Sequence, residues 1–335
     1  MNPNSHEFDF VIPLFQVRWN TRAVLEGLTT HYQPRAIHIV TPASQVQSLQ
    51  QLCQEWATAP VHVHDEDLFF VKSSGLSKKE ICSELDLGTS LYNPGWFYQQ
   101  ILKLGASEGI ESLSEWYVVW DSDLLPVQTW PLIRQTQQTV EYTFALLQHK
   151  RWGNPKIVRA WDTWIQSVLG VQPITDRVGT FVPHHMWFRQ SHLESFKQQI
   201  NRYYGTQEHW SKLMMRSANE LGTFSEYWAY VSWVAAKAPE DLSFYDYQDY
   251  GNTTERFFDD GTGLFSKSLR QHIQKSQDGF SPEYAAVEAF ILSEYGREQL
   301  PSSLAFESSP RHLKKDEANM HIEEQRSRWN PRIAA

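Results

Sequence analysis

Apolar and polar positions follow two alternating periods along the first third of the chain. Phe8-Asp9-Phe10-Val11-Ile12-Pro13 is a short apolar run stopped by proline, the pattern of a buried strand. Residues 21–30 then place Ala23, Val24 and Leu28 at helical spacing. A second apolar run, Ala36-Ile37-His38-Ile39-Val40-Thr41, closes at Pro42. Residues 44–56 put Val46, Leu49, Leu52, Cys53 and Trp56 on one helical face, and Val61-His62-Val63-His64-Asp65 reads as a third strand. Strand alternating with helix predicts a parallel sheet covered by helices. Asn93-Pro94 signals a helix start over residues 95–104. On that helix Trp96, Gln99 or Gln100, and Lys103 share one side, while Phe97, Ile101 and Leu104 share another. Trp116-Tyr117-Val118-Val119-Trp120 is a further strand, and it runs into Asp121-Ser122-Asp123.

Beyond residue 125 the alternation fades. Strands are expected over 142–147 and 180–188, and helices over 193–203 and 225–236. Residues 240–265, rich in Asp, Tyr, Phe and Gly, are expected to form a long loop or short strands. From Pro301 the chain turns polar, which predicts a peripheral tail over 301–335. One domain over 1–300 is therefore expected, with no internal repeat.

Composition narrows the class. With 335 residues, 41% of them hydrophobic, the chain can bury a sizeable core. Thirty Lys and Arg against 39 Asp and Glu give a net charge of −9, which argues against non-specific nucleic-acid binding because that rests on neutralising phosphates. No apolar run reaches 18 residues, so no membrane span is expected, and no secretory signal is visible. Cys53 and Cys82 make neither a disulfide framework nor zinc-ligand spacing, which fits a reducing, cytoplasmic setting. The 14 Trp supply flat apolar faces of the kind that stack on sugars and bases, although most are expected to fill the core.

The candidate chemistry centres on Asp121 and Asp123. Ligands of open α/β sheets bind outside the carboxyl ends of the strands, and this pair follows a strand directly. On an extended backbone two such carboxylates lie on the same side and can hold Mn²⁺ or Mg²⁺ through oxygen. Such an ion neutralises the charge that develops on a departing diphosphate. Asp65-Glu66-Asp67 repeats the pattern after a shorter, less apolar strand and is the weaker copy. No Gly-x-Ser-x-Gly elbow and no phosphate-binding P-loop is present.

Several of these segments in order resemble a bacterial family of glycosyltransferases within the nucleotide-diphospho-sugar transferases of GT-A fold. They are Phe10 to Leu14, Ile37 to Pro42, Asp65 to Leu68, the Gly95-Trp96-Phe97-Tyr98-Gln99-Gln100 helix with Lys103, and Trp120 to Asp123. Thr180 to Met186 and Phe224 to Tyr230 extend the resemblance over residues 8–235. It implies an α/β GT-A fold: a Rossmann-like, mostly parallel sheet flanked by helices. Residues 8–125 would be the nucleotide-binding half and 126–300 the acceptor half. It also implies a nucleoside-diphosphate sugar donor and an acceptor hydroxyl. By position, Asp123 is the main metal ligand and Asp121 meets the donor ribose or the metal, while Pro13, Arg18 and Asp65 run past the nucleoside and Gln100 and Lys103 face the donor. Of His184 and His185, neighbours on opposite strand faces, either completes a metal shell or meets the acceptor; the expected assignment is His185 to the metal and His184 to the acceptor. Glu226, at a helix start, is the expected general base. Asp246, Asp249, Asp259 and Asp260 are alternatives, and Trp228 is a stacking face for the acceptor.

Two other classes stay open. A sugar nucleotidyltransferase shares the sheet, but it usually carries a glycine-rich basic loop after the first strand; Leu14-Phe15-Gln16-Val17-Arg18 has no glycine. A non-catalytic protein of the same fold would present its aromatics to a glycan or partner.

Overall fold

A computed structural model describes residues 8–86, 94–135, 140–148, 155–174, 179–180, 182–218, 223–246, 254–257, 264–273 and 282–306. The opening alternation is as expected: β1 (Asp9–Pro13), α1 (Thr21–Tyr32), β2 (Ala36–Thr41), α2 (Ala43–Glu55) and β3 (Val61–Asp65). Short helices α3 (Val71–Ser74) and α4 (Lys78–Cys82) lead to α5 (Pro94–Leu104), α6 (Ala106–Gly109) and β4 (Trp116–Trp120). Then come β5 (Leu124–Pro126), β6 (Ile133–Gln135), β7 (Val140–Gln148), α7 (Pro155–Trp164), β8 (Gly179–Thr180), β9 (His185–Arg189), α8 (Gln190–Tyr204), α9 (Trp210–Ser217) and α10 (Glu226–Lys237). The described chain ends with β10 (Ser243–Asp246), β11 (Thr254–Phe257), α11 (Leu264–Ile273), α12 (Tyr284–Tyr295) and β12 (Ser303–Phe306).

The central sheet has the order β3-β2-β1-β4-β9. Its first four strands are parallel, and β9 runs antiparallel to β4. The fold is thus mixed α/β with a mostly parallel central sheet flanked by helices. β1 is buried along its whole length because helices cover both faces of a parallel strand, which is why Phe10, Val11 and Ile12 follow one another without a polar break. Strand alternation then sorts the neighbours. Phe10 and Trp120 meet Tyr32 of α1 on one face. On the other, the Tyr117 hydroxyl donates to the Lys103 carbonyl of α5, and Phe188 meets Tyr227 and Tyr230 of α10.

Two expectations need correction. The run 180–188 is not one strand: β8 pairs with β7 in another sheet, and β9 joins the central one. Within 240–265 the short strands β10 and β11 are as expected. The tail does not begin at 301. Ser303–Phe306 is fully buried as β12, hydrogen-bonded between β11 and β5. Its four residues are too few for a periodicity to show, and only long-range pairing reveals the strand. Residues 307–335 lie outside the described residues.

Candidate active site at the carboxyl edge of the sheet

The Asp121-Ser122-Asp123 segment is not extended. The Leu124 N–H donates to the Asp121 carbonyl at 3.0 Å, closing a β-turn between β4 and β5. The alternation argument for two carboxylates on one side therefore fails, and the aspartates have separate surroundings. Asp121 points into the protein. Its Oδ1 accepts from Lys103 Nζ at 2.6 Å and from the Tyr227 hydroxyl at 3.0 Å, while Oδ2 lies 3.1 Å from His184 Nδ1. Asp123 is partly exposed, and its carbonyl accepts from the Phe306 N–H at 2.9 Å.

Lys103 lies at the centre. Its side chain is 2% exposed, and Nζ also donates to Glu226 Oε1 at 2.6 Å and to the Tyr227 hydroxyl at 3.2 Å. Burial alone would lower the Lys103 ammonium; Asp121 and Glu226 outweigh it and push it above its ordinary value. Burial likewise would raise the Asp121 carboxyl, but Lys103 and His184 hold it well below the usual carboxylate range. Lys103 is thus not turned to a donor. It is a buried tie joining α5, β4 and α10.

Glu226 opens α10 as expected, but it is 5% exposed and committed to Lys103. One of its carboxylate oxygens is thus already engaged by a buried ammonium. The Ser225 side chain does not cap the helix. Gln100 does so from α5, its Oε1 accepting the Glu226 N–H at 3.1 Å, so Gln100 too faces inward. Trp228 is 4% exposed and packs on Trp161 with ring centroids 5.9 Å apart, so it belongs to the core.

The two histidines have different surroundings at the start of β9. His185 is buried between Trp120 and Trp130, at centroid distances of 4.8 and 4.9 Å, with Nδ1 3.1 Å from the Pro183 carbonyl. Burial pulls it down to about 3, so it is neutral. His184 lies against Asp121. Its carbonyl accepts the Asp121 N–H at 2.8 Å, its ring meets Asp121 Oδ2, and its backbone sits at φ 63°, in the left-handed region a non-glycine residue rarely adopts. With Nδ1–H donating to Asp121, the lone pair of the imidazole lies on Nε2.

At the rest of the edge, Pro13 ends β1, and Arg18 Nη1 donates to the Phe306 carbonyl at 3.0 Å. Asp65 ends β3, and its Oδ1 accepts the Asp67 N–H at 2.8 Å, a local turn. Sequence reasoning missed Tyr227 and Phe306. The first was legible as the neighbour of Glu226 on the helix; the second was hidden with β12. Asp246 lies in β10, and Asp249, Asp259 and Asp260 fall outside the described residues. Burial pushes the thiols of Cys53 and Cys82 up to about 12 and about 11, so neither is a nucleophile at neutral pH.

The predicted metal set, Asp121, Asp123 and His185, is not assembled. Asp121 is taken by Lys103, Tyr227 and His184, and His185 lies among tryptophans. Among the described residues no three His, Cys, Asp or Glu side chains converge on a common point. Nor is any described helix long and apolar enough to cross a membrane.

The chain is similar to mouse xyloside xylosyltransferase 1 in its apo form, at 10% identity over 75% of this chain and 88% of that one, with TM-score 0.38. It is also similar to the galactosyltransferase LgtC in complex with donor and acceptor sugar analogues, at 8% identity over 96% and 100%, with TM-score 0.37. A third is the apo-form glycosyltransferase GlyE of Streptococcus pneumoniae TIGR4, at 9% identity over 96% and 63%, with TM-score 0.36. TM-scores this low carry no inference about chemistry. No curated protein matches the chain in sequence. Residues 19–294 match the model of the Family of unknown function (DUF6492), and the chain belongs to that family.

Proposed function

We propose that this member of DUF6492 transfers a sugar from a nucleoside-diphosphate donor to an acceptor hydroxyl, with His184 rather than Glu226 as the general base. The observation that carries this reading is the double tie of His184 to Asp121 at the carboxyl end of β4, where α/β sheets bind ligands. Asp121 orients the imidazole and, being ionised, stabilises the imidazolium formed when Nε2 takes the proton of the acceptor hydroxyl. As that proton leaves, the acceptor oxygen bonds to the anomeric carbon. The bond from that carbon to the diphosphate breaks, and the diphosphate departs with the electron pair. The left-handed backbone of His184 fits a site where position outranks conformational ease. Pro13 and Asp65 flank the nucleoside along the same edge. Arg18, tied to Asp123 through Phe306, supplies positive charge toward the phosphates. With Asp121 engaged by Lys103, no step is routed through a metal ion.

A thermal-shift panel of UDP, GDP, CDP and dTDP tests the reading. A nucleotide at ~100 times its dissociation constant adds about 2.7 kcal/mol of stability. One nucleotide is expected to raise Tm, and Arg18→Ala to abolish the rise. His184→Gln is expected to keep the rise while lowering donor turnover by about 10²–10⁴. No shift with any nucleotide would leave a non-catalytic binding protein as the better reading.

A further inference from the structure

We infer that Lys103 is the built-in cation of this site, occupying the position between Asp121 and Glu226 that a divalent ion would take, so that Asp121 is not a metal ligand in the resting protein. The geometry is that of an oxygen cage around one positive charge. Asp121 Oδ1 and Glu226 Oε1 each lie 2.6 Å from Nζ, and the Tyr227 hydroxyl lies at 3.2 Å. Those three contacts use all three ammonium hydrogens. The ring of Tyr227 lies under the same charge, its centroid 4.5 Å from Nζ. Carboxylate oxygens close around a common point are also the donors that hard divalent ions select, at roughly 2.3–2.6 Å for Ca²⁺.

A metal bound to Asp121 would share Oδ1 with an ammonium that is almost wholly buried. Like charges would then meet where little water screens them. Lys103 cannot swing away at small cost, because its side chain is buried and leaving would strand two carboxylates. Asp121 is thereby reserved for His184 and Tyr227. This inference does not depend on the transfer reading, since it concerns how an acidic pair inside the fold is neutralised.

The test uses the full-length protein without nucleotide. Mn²⁺ is titrated and free ion is followed by electron paramagnetic resonance. The wild type is expected to leave the free-ion signal intact, and Asp121→Asn to behave identically. Lys103→Ala removes the ammonium and leaves the cage, and it is expected to gain one Mn²⁺ or Ca²⁺ site about tenfold or more tighter than any wild-type site. Its Tm should rise by roughly 5 °C on saturation. If Lys103→Ala is unfolded in EDTA, recovery of its circular dichroism on adding either ion supports the inference equally. One Mn²⁺ bound by the wild type and lost in Asp121→Asn would overturn it. So would a folded Lys103→Ala with no gain in metal binding, or an unfolded one that neither ion restores. Failure of the nucleotide panel would leave these outcomes untouched.

Discussion

Lys103→Met tests the buried ion network most directly. The substitution keeps most of the side-chain volume and removes only the charge. The carboxylates left behind are 14% exposed at Asp121 and 7% at Glu226. Breaking a buried pair by deleting one partner costs about 3–5 kcal/mol, because the remaining charge is neither solvated nor paired. Asp121 keeps Tyr227 and His184, and Glu226 keeps the amino end of α10, so the loss should not exceed that range. At about 2 °C per kcal/mol, Tm should fall by roughly 6–10 °C. Urea unfolding followed by circular dichroism at pH 7 and pH 5 gives the test a second axis. In the wild type the Asp121 carboxyl is held below its ordinary 3.8, so its contribution is complete at both pH values and is lost only as pH falls below 3.8. In the variant the ammonium no longer offsets burial, and the folded state takes up a proton at higher pH than the unfolded chain. Lowering the pH should therefore stabilise the variant and narrow its gap to the wild type. A loss under about 1 kcal/mol, or a gap unchanged between pH 7 and 5, would refute the picture of a buried ammonium neutralising two carboxylates.

Other expectations concern the scaffold. His64 lies with Nε2 3.0 Å from His38 Nδ1, and burial, then the charges of His38 and His62, pull it from 6.5 down to about 4. The unfolded chain binds the extra proton between those values, so stability should drop as pH falls from 6.5 toward 4, on the order of 2 kcal/mol. His64→Gln should flatten that limb in denaturant melts, and an unchanged limb would assign it elsewhere. At Gly105, just after α5, an added Cβ would stand 2.6 Å from Phe70 Cζ and 3.0 Å from Trp210 Cζ2. Gly105→Ala should cost about 1–3 kcal/mol in the same melts, and a neutral result would mean that α5 shifts freely.

How far the sequence could be read depends on the range of the interaction involved. Periodicity is local, and in the first 65 residues and from Gly95 to Trp120 it determined the strands, the helices and the parallel sheet they build. It also delivered Asp121 to the carboxyl end of β4, since a buried strand must leave the core where its apolar run ends. The pairing of charges is not local. Lys103, Asp121 and Glu226 are far apart in sequence and share one buried point only because α5, β4 and α10 pack together. That packing set Lys103 and the Glu226 carboxylate against each other as buried counter-ions. The choice between His184 and His185 needed the register of β9 against β4, which puts one ring beside Asp121 and the other beside Trp120. β12 needed its partners outright: four residues carry no period of their own, and only hydrogen bonding between β5 and β11 makes them a strand.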